Sequence, residues 1–222
     1  MDSRILYKYT SRSRPANFFR GLDSIKNRSV SDNYQVLCSF DLDDLTMNNE
    51  EVIERLKGYK NVSYIFGHSK NKIDAINRDM DKVEGWDILV NMSDDMVFIA
   101  DGFDDEIRNA FDSDDLMVNF NDGNQKDNVC TMSIISKKYY DRFNYIYHPE
   151  YVSLWCDCEA TDVARILGKY KYMGDDNIIF RHLHPSFGLC RYDEQYMKTE
   201  SHELRSKDQI TYDQRRAKNF EL

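Results

Sequence analysis

Three prolines and nine glycines are spread over 222 residues, too few for a collagen-like segment or a Gly/Pro-rich linker. No window approaches the ~20 consecutive apolar residues that span a bilayer. The opening MDSRILYKYT has no long apolar core and does not read as a signal peptide. These absences predict a soluble, cytoplasmic protein without a membrane partner. A surplus of positive charge is also missing: 30 Lys and Arg stand against 39 Asp and Glu, for a net charge of −9. That argues against broad, phosphate-driven attachment to nucleic acid, although it leaves a local basic groove open. The five cysteines, Cys38, Cys130, Cys156, Cys158 and Cys190, are odd in number and dispersed. They fit reduced thiols better than a disulfide framework. Cys156 and Cys158 are separated by one residue, closer than a zinc knuckle uses.

What is present is a globular composition, 41% hydrophobic and 13% aromatic, with a regular alternation of periods. RILYKYT, YQVLCSF, NVSYIFGH and WDILVNM read as strands. PANFFRGLDSIKN, NEEVIERLKGY and SKNKIDAINRDMDKV read as helices between them. Their apolar faces are Phe18, Leu22 and Ile25, then Val52, Ile53 and Leu56, then Ile73, Ile76 and Met80. Pro15 sits near the start of the first helix. This pattern predicts an α/β fold with a mostly parallel central sheet and flanking helices. Beyond Asp115 the pattern is mixed. LMVNFN, CTMSIIS, YKYM and NIIFRHLH read as extended; KKYYDRFNYI and CEATDVARILG read as helical. We read one domain over 1–222: a nucleotide-binding half (1–115), a second half (116–190) and a polar tail (191–222). In the tail Asp208, Tyr212 and Arg215 share one helix face, as expected for a helix docked over the sheet.

In open α/β sheets ligands bind beyond the carboxyl ends of the strands, and each of the first four strands ends in polar residues. TSRSRP follows the first, with Thr10, Ser11, Arg12 and Arg14. DLDD follows the second, with Asp41 and Asp43. GHSKNK follows the third, with His68, Lys70 and Lys72. The fourth, in DILVNMSDDM, ends in Asp94 and Asp95, an abrupt stop in carboxylates that a buried strand does not need. The guanidinium and ammonium groups suit a diphosphate. The adjacent carboxylates suit a hard divalent cation that neutralises it. A solvated acidic turn is the bland alternative.

The order of these motifs resembles small GT-A glycosyltransferases of the family 2 type, which transfer a sugar from a nucleotide-sugar donor. ILYKYTSRSRPANFFRGLDSI resembles that family's first strand, its Arg-Pro loop and the following helix. Arg14 and Pro15 match the loop; Leu22, Ser24 and Ile25 match the helix. In VLCSFDLDD, Asp41 takes the place of the aspartate that meets the base. GHSKNKIDAINRDMD, which includes Asp74, resembles the next donor segment without its glycine. Ser93-Asp94-Asp95 stands where the family has its DxD motif, with serine in the first position. The resemblance implies Asp95 as direct ligand of Mn2+ or Mg2+, and Asp94 as a nucleotide-sugar contact.

In SLWCDCEATDVARILGKY the resemblance places Asp157 on the catalytic base and Glu159 on an acid two residues later. On residue chemistry alone, an acidic first helical turn explains both equally well. In NIIFRHLHPSFG, His182 and His184 share one strand face. The resemblance implies that a histidine here completes the metal site, with His184 preferred for its HP step. It further implies UDP as nucleotide and an inverting transfer to an acceptor hydroxyl that the sequence does not identify; glycans and hydroxylated DNA bases are among the options. Two other classes compete. A nucleotidyltransferase would call for a glycine-rich first loop, which TSRSRP lacks. A non-catalytic nucleotide-sugar-binding module is kept open by the altered Ser93-Asp94-Asp95 motif.

Overall fold

The computed structural model describes residues 3–222. Its first part follows the expected alternation: β1 (Ile5–Thr10), α1 (Pro15–Arg28), β2 (Tyr34–Asp41), α2 (Glu50–Lys57), β3 (Val62–Gly67), α3 (Lys72–Asn77) and β4 (Ile88–Ser93). Then come β5 (Met96–Phe98), α4 (Phe103–Ala110), β6 (Met117–Asn119), β7 (Ile134–Ser136), α5 (Lys137–Asp141) and α6 (Cys156–Ile166). The chain ends with β8 (Tyr170–Tyr172), β9 (Phe180–His182), α7 (Glu194–Thr199) and α8 (His202–Ala217).

Among the described residues, a seven-stranded sheet runs in the order β3-β2-β1-β4-β7-β6-β8. Only β7 is antiparallel to its neighbours. A second, two-stranded sheet pairs β5 with β9. β1 is buried from Ile5 to Tyr9, as a strand covered on both faces must be. Successive side chains therefore serve two cores. Ile5, Tyr7 and Tyr9 pack with α1, α2 and α4 through Phe18, Leu22, Val52 and Ile107. Leu6, Leu37 and Leu89 pack with α3, α6 and α8 through Ile73, Ile76, Val163 and Tyr212.

The register aligns the strand ends. Thr10 lies level with Ser39 on one side and Ser93 on the other, and Asp41 lies level with Gly67. Helix signals behave as their chemistry dictates. Pro15 opens α1, and Asn49 and Asn71 cap α2 and α3 by accepting from Val52 N and Asp74 N. Mid-helix Gly21 lets α1 lie close on the sheet, because a Cβ there would run into the Tyr9 hydroxyl.

Two expectations are corrected. The helix read over SKNKIDAINRDMDKV stops at Asn77. Asp79 takes a left-handed conformation (φ 67°) and a single 3₁₀ turn, Met80–Lys82, follows. The reason is tertiary: the Asn77 side chain bonds the backbone of Ile146 and Tyr147, and Asp79 accepts from Ser39 at 2.7 Å. KKYYDRFNYI is helical only over Lys137–Asp141. The helix α4 and the short β5 were not read from the sequence. In the tail, Asp208, Tyr212 and Arg215 are the buried residues of α8, the face expected. No helix among the described residues is long and apolar enough to cross a membrane.

Candidate active site

A cavity of about 390 Å3 opens at the carboxyl ends of β1 to β4. Its walls include Thr10, Ser11, Arg12 and Arg14, then Asp41 and Asp43, then His68, Lys70 and Lys72, then Asp94 and Asp95. The four strand-end loops thus meet in one place. Asp74 does not line it. Its carboxylate accepts from Lys70 N at 2.9 Å, so it shapes the loop ahead of α3 instead of facing the cavity.

The first loop is held in an unusual shape. Ser13 adopts φ 63°, a left-handed conformation costly for a non-glycine residue, and its N–H donates to buried Asp44 at 2.7 Å. Arg12 donates to Asp41 at 2.7 Å and to both oxygens of Asp43 at 2.9 and 2.7 Å. Arg14 reaches Asp94 at 3.1 Å and forks onto Asp193 at 2.8 and 2.5 Å. Ser11 completes Asp94 with a 2.7 Å bond. Burial, then the adjacent Asp95 charge, pushes the Asp94 carboxyl up to about 6, against the pull of Arg14 and Ser11.

Asp95 differs. Burial alone would raise it, but the hydrogen bond and charge of His182 hold it well below the usual carboxylate range. His182 Nε2 lies 3.3 Å from Asp95 Oδ2. Its Nδ1 lies 3.7 Å from Asp122, an ion-pair separation too long for a hydrogen bond. Burial works against the imidazolium, yet these carboxylates raise His182 to about 9. Tyr196 on α7 donates to Asp95 Oδ2 at 2.8 Å, and the Arg14 guanidinium stacks 3.8 Å over its ring.

A second cavity of about 250 Å3 adjoins the first. The two share Thr10, Lys72, Ser93, Asp95 and Glu200, so Asp95 stands at their seam. Asp157 lines the second cavity, at the start of α6, which Trp155 enters in a left-handed conformation (φ 63°).

Glu159 points elsewhere, and its expected role as an acid beside Asp157 is corrected. It is buried, accepts from Tyr151 at 2.7 Å and forms a forked pair with Arg215 at 2.8 to 3.1 Å. The preference for His184 as metal ligand is corrected too. His184 pairs with Glu200 at 2.7 Å and accepts from Ser186 N, whereas the β5–β9 pairing sets His182 opposite Met96, next to Asp95.

Several site residues were missed. Asp193, Tyr196 and Glu200 come from the tail and reach the cleft only by tertiary packing. Asp122 had a weak signal in NDGN, a turn sequence: its carboxylate accepts from Asn124 N and Gln125 N at 2.7 and 2.6 Å.

Among the described residues, eight buried side-chain polar atoms lack a hydrogen-bond partner. Six belong to residues lining these two cavities: Asp41 Oδ1, Ser69 Oγ, Asn91 Oδ1, Asp95 Oδ1, Ser153 Oγ and His182 Nδ1. Buried polar atoms are nearly always paired, so their concentration here marks a ligand site.

No family model matches the chain, and no curated protein matches it in sequence. Solved structures do match. One is the mannosyltransferase PcManGT from Pyrobaculum calidifontis in complex with GDP-Man and Mn2+, at TM-score 0.66 and 11% identity over 82% of this chain and 57% of that one. Another is S. aureus TarS 1-349 in complex with UDP, at TM-score 0.62 and 13% identity over 80% of this chain and 60% of that one. A third is the 4-diphosphocytidyl-2C-methyl-D-erythritol synthase from Anaerococcus prevotii, at TM-score 0.52 and 14% identity over 80% of this chain and 90% of that one. The chain spans less than two thirds of the length of the first two. At these identities the likeness is one of architecture, and it agrees with the strand order and the strand-end cleft: the chain has the GT-A fold.

Proposed function

We propose that the chain is a metal-dependent glycosyltransferase that moves a sugar from a UDP-sugar to an acceptor hydroxyl with inversion, residues 1–222 working as one unit. The observation that carries this reading is Asp95 at the seam of two adjoining cavities, one lined by arginines, lysines and carboxylates of the strand-end loops and the other by Asp157. Arg14, Lys70 and Lys72 hold the donor diphosphate. Among the described residues neither lysine is engaged in an ion pair, while Arg14 exchanges Asp193 for phosphate oxygens. Asp41 gives one oxygen to Arg12 and keeps Oδ1 buried and unpaired. A single acceptor matches the single imide N–H of uracil; guanine presents two adjacent donors.

The donor set fits a hard or borderline cation. Asp95 Oδ1 is buried without a partner and His182 is adjacent. Oxygen with imidazole nitrogen suits Mn2+ or Mg2+. Among the described residues no three His, Cys, Asp or Glu side chains form a ready-made cage, so Asp95 and His182 would hold the ion together with donor phosphates. When bound, it supplies charge neutralisation for the leaving diphosphate. Asp157 takes the proton of the acceptor hydroxyl as that oxygen attacks C1.

A thermal-shift titration with UDP and GDP, with and without Mn2+, tests the donor site, because ligand stabilises the native state by mass action. The expected result is a UDP shift that grows with Mn2+ and loses its Mn2+ component in Asp95→Ala. A wild-type Mn2+ response in that variant refutes the metal assignment. The same match to the erythritol synthase keeps nucleotidyl transfer as a second reading, separated by product: UDP is released here, pyrophosphate there.

A further inference from the structure

The chain between β9 and α8 reaches back into the first cavity. It is anchored at both ends, by the β5–β9 pairing and by α8, whose Asp208, Tyr212 and Arg215 are buried. Between these anchors, Gln195, Tyr196, Lys198, Thr199 and Glu200 line the cavity. The Asp193 carboxylate forks onto Arg14. The Tyr196 hydroxyl donates to Asp95 Oδ2, and the same Arg14 guanidinium lies over its ring. Glu200 pairs with His184. One short stretch thus puts a carboxylate where the donor reading puts phosphate oxygens, and an O–H where it puts the cation. A carboxylate forks onto a guanidinium as a phosphate does, and a phenol hydrogen turns positive charge toward Asp95 as a cation would.

The hold of this stretch is polar. Tyr196 is the buried side chain of α7, while Phe187, Leu189, Tyr192 and Met197 around it are exposed. The Asp193 side chain is 43% exposed, so water already competes for its pair with Arg14. A segment with few buried apolar contacts opens at small cost. A diphosphate brings more charge to Arg14 than one carboxylate does, and a divalent cation brings more to Asp95 than one O–H does. Ligands that need Arg14 and Asp95 free bind the open form better and draw the population toward it.

We propose that residues 189–200 form an autoinhibitory strap: in the free protein Asp193 and Tyr196 stand in for phosphate and metal, and a nucleoside diphosphate with a divalent cation displaces them together. This rests on the donor-site reading above. Both stand-ins ride on one strap, so displacing either loosens the other. Nucleotide and cation therefore favour each other's binding beyond their own direct contact.

Hydrogen exchange read by mass spectrometry tests this on the full chain, with UDP and Mn2+ as probes. Amides over 193–200 are expected to exchange about tenfold faster once UDP and Mn2+ are bound, with those of α8 unchanged. The double variant Asp193→Asn/Tyr196→Phe is expected to show the fast exchange without ligand and to bind UDP with Mn2+ about tenfold tighter by calorimetry, because the competent form is already populated. Its thermal unfolding confirms that it is folded. Binding by the double variant where the wild type shows none supports the strap as well. Two results overturn the inference alone: UDP and Mn2+ bind but leave exchange over 193–200 unchanged or slower, which makes the stretch a closing lid; or the double variant binds UDP no tighter than the wild type. Absence of UDP binding in both proteins overturns the donor reading and this inference together.

Discussion

The two cavities that meet at Asp95 are built by different means. The first cavity lies at the ends of four adjacent parallel strands, where Arg12 pairs with Asp41 and Asp43 across neighbouring loops, and the tail adds Tyr196, Glu200 and the Arg14–Asp193 pair. The second cavity borrows its rigidity from far along the chain. Asp208 clamps its loop across 54 to 56 residues, and Arg215 fixes α6 through Glu159 across 56 residues. The floor of the first cavity is therefore set by sheet topology, whereas the wall of the second depends on the docking of α8. The two halves should fail separately.

Asp157→Asn is the sharpest way to separate them. Under the proposed function, transfer to the acceptor hydroxyl should fall by about 10²–10⁴-fold, the usual scale of general-base assistance, because asparagine keeps size and hydrogen bonding but cannot take the proton. UDP affinity should hold. A loss of turnover below tenfold removes Asp157 as base and favours a retaining mechanism, which the anomeric configuration of the product, read by NMR, decides directly.

Glu159→Gln should act on the fold instead. It removes the buried carboxylate that forks onto Arg215 and leaves that guanidinium only the exposed Glu221 and Glu150, so a loss below the roughly 3–5 kcal/mol of a fully orphaned buried charge is expected, to be read from urea unfolding. If this variant unfolds normally yet loses more turnover than Asp157→Asn, the base is Glu159.

Arg14 and Asp193 should move donor affinity in opposite directions. Arg14→Ala should weaken UDP binding about tenfold or more, since it removes a charge-assisted fork. Asp193→Asn should tighten it a few-fold, because the carboxylate that competes with the diphosphate for Arg14 loses its charge. Calorimetric titration measures both. Weaker binding in Asp193→Asn would mean that α7 supports the donor instead of blocking it.

The smallest effect concerns Lys8, fully buried beneath the donor cavity and donating to Ser39. Burial lowers its ammonium from 10.5 to about 8, with Asp79 opposing and Arg78 adding to the shift. Between those values the unfolded chain binds more protons than the native state, so stability should rise with pH by about 1 kcal/mol per unit. Below pH 8 both states are protonated and the contribution is flat. Lys8→Met should abolish the rise, as followed by denaturant unfolding across that range.

Much of the donor half was legible because parallel α/β pattern converts a one-dimensional fact into a place. Where an apolar run stops, the strand stops, and all such ends lie on one edge. Arg12, Arg14, Asp41, Lys72, Asp94 and Asp95 could be gathered without knowing any packing. Asp74 was misread because a carboxylate four residues after Lys70 finds that residue's N–H before it finds the cleft.

The other half depends on quantities no local pattern carries. Asp157 and Glu159 are two residues apart on a helix, so they point roughly 200° apart. Only the rotation of α6, set by Arg215 and Tyr212 from α8, says which one meets the cavity. His182 and His184 share a strand face, and the register of β9 against β5 chooses between them. Arg14 and Asp193 are 179 residues apart in sequence. Periodicity and strand ends specify which elements form and which edge they share; the rotation, register and long-range charge pairing that select one carboxylate or one imidazole arise only when distant segments compete for the same buried space.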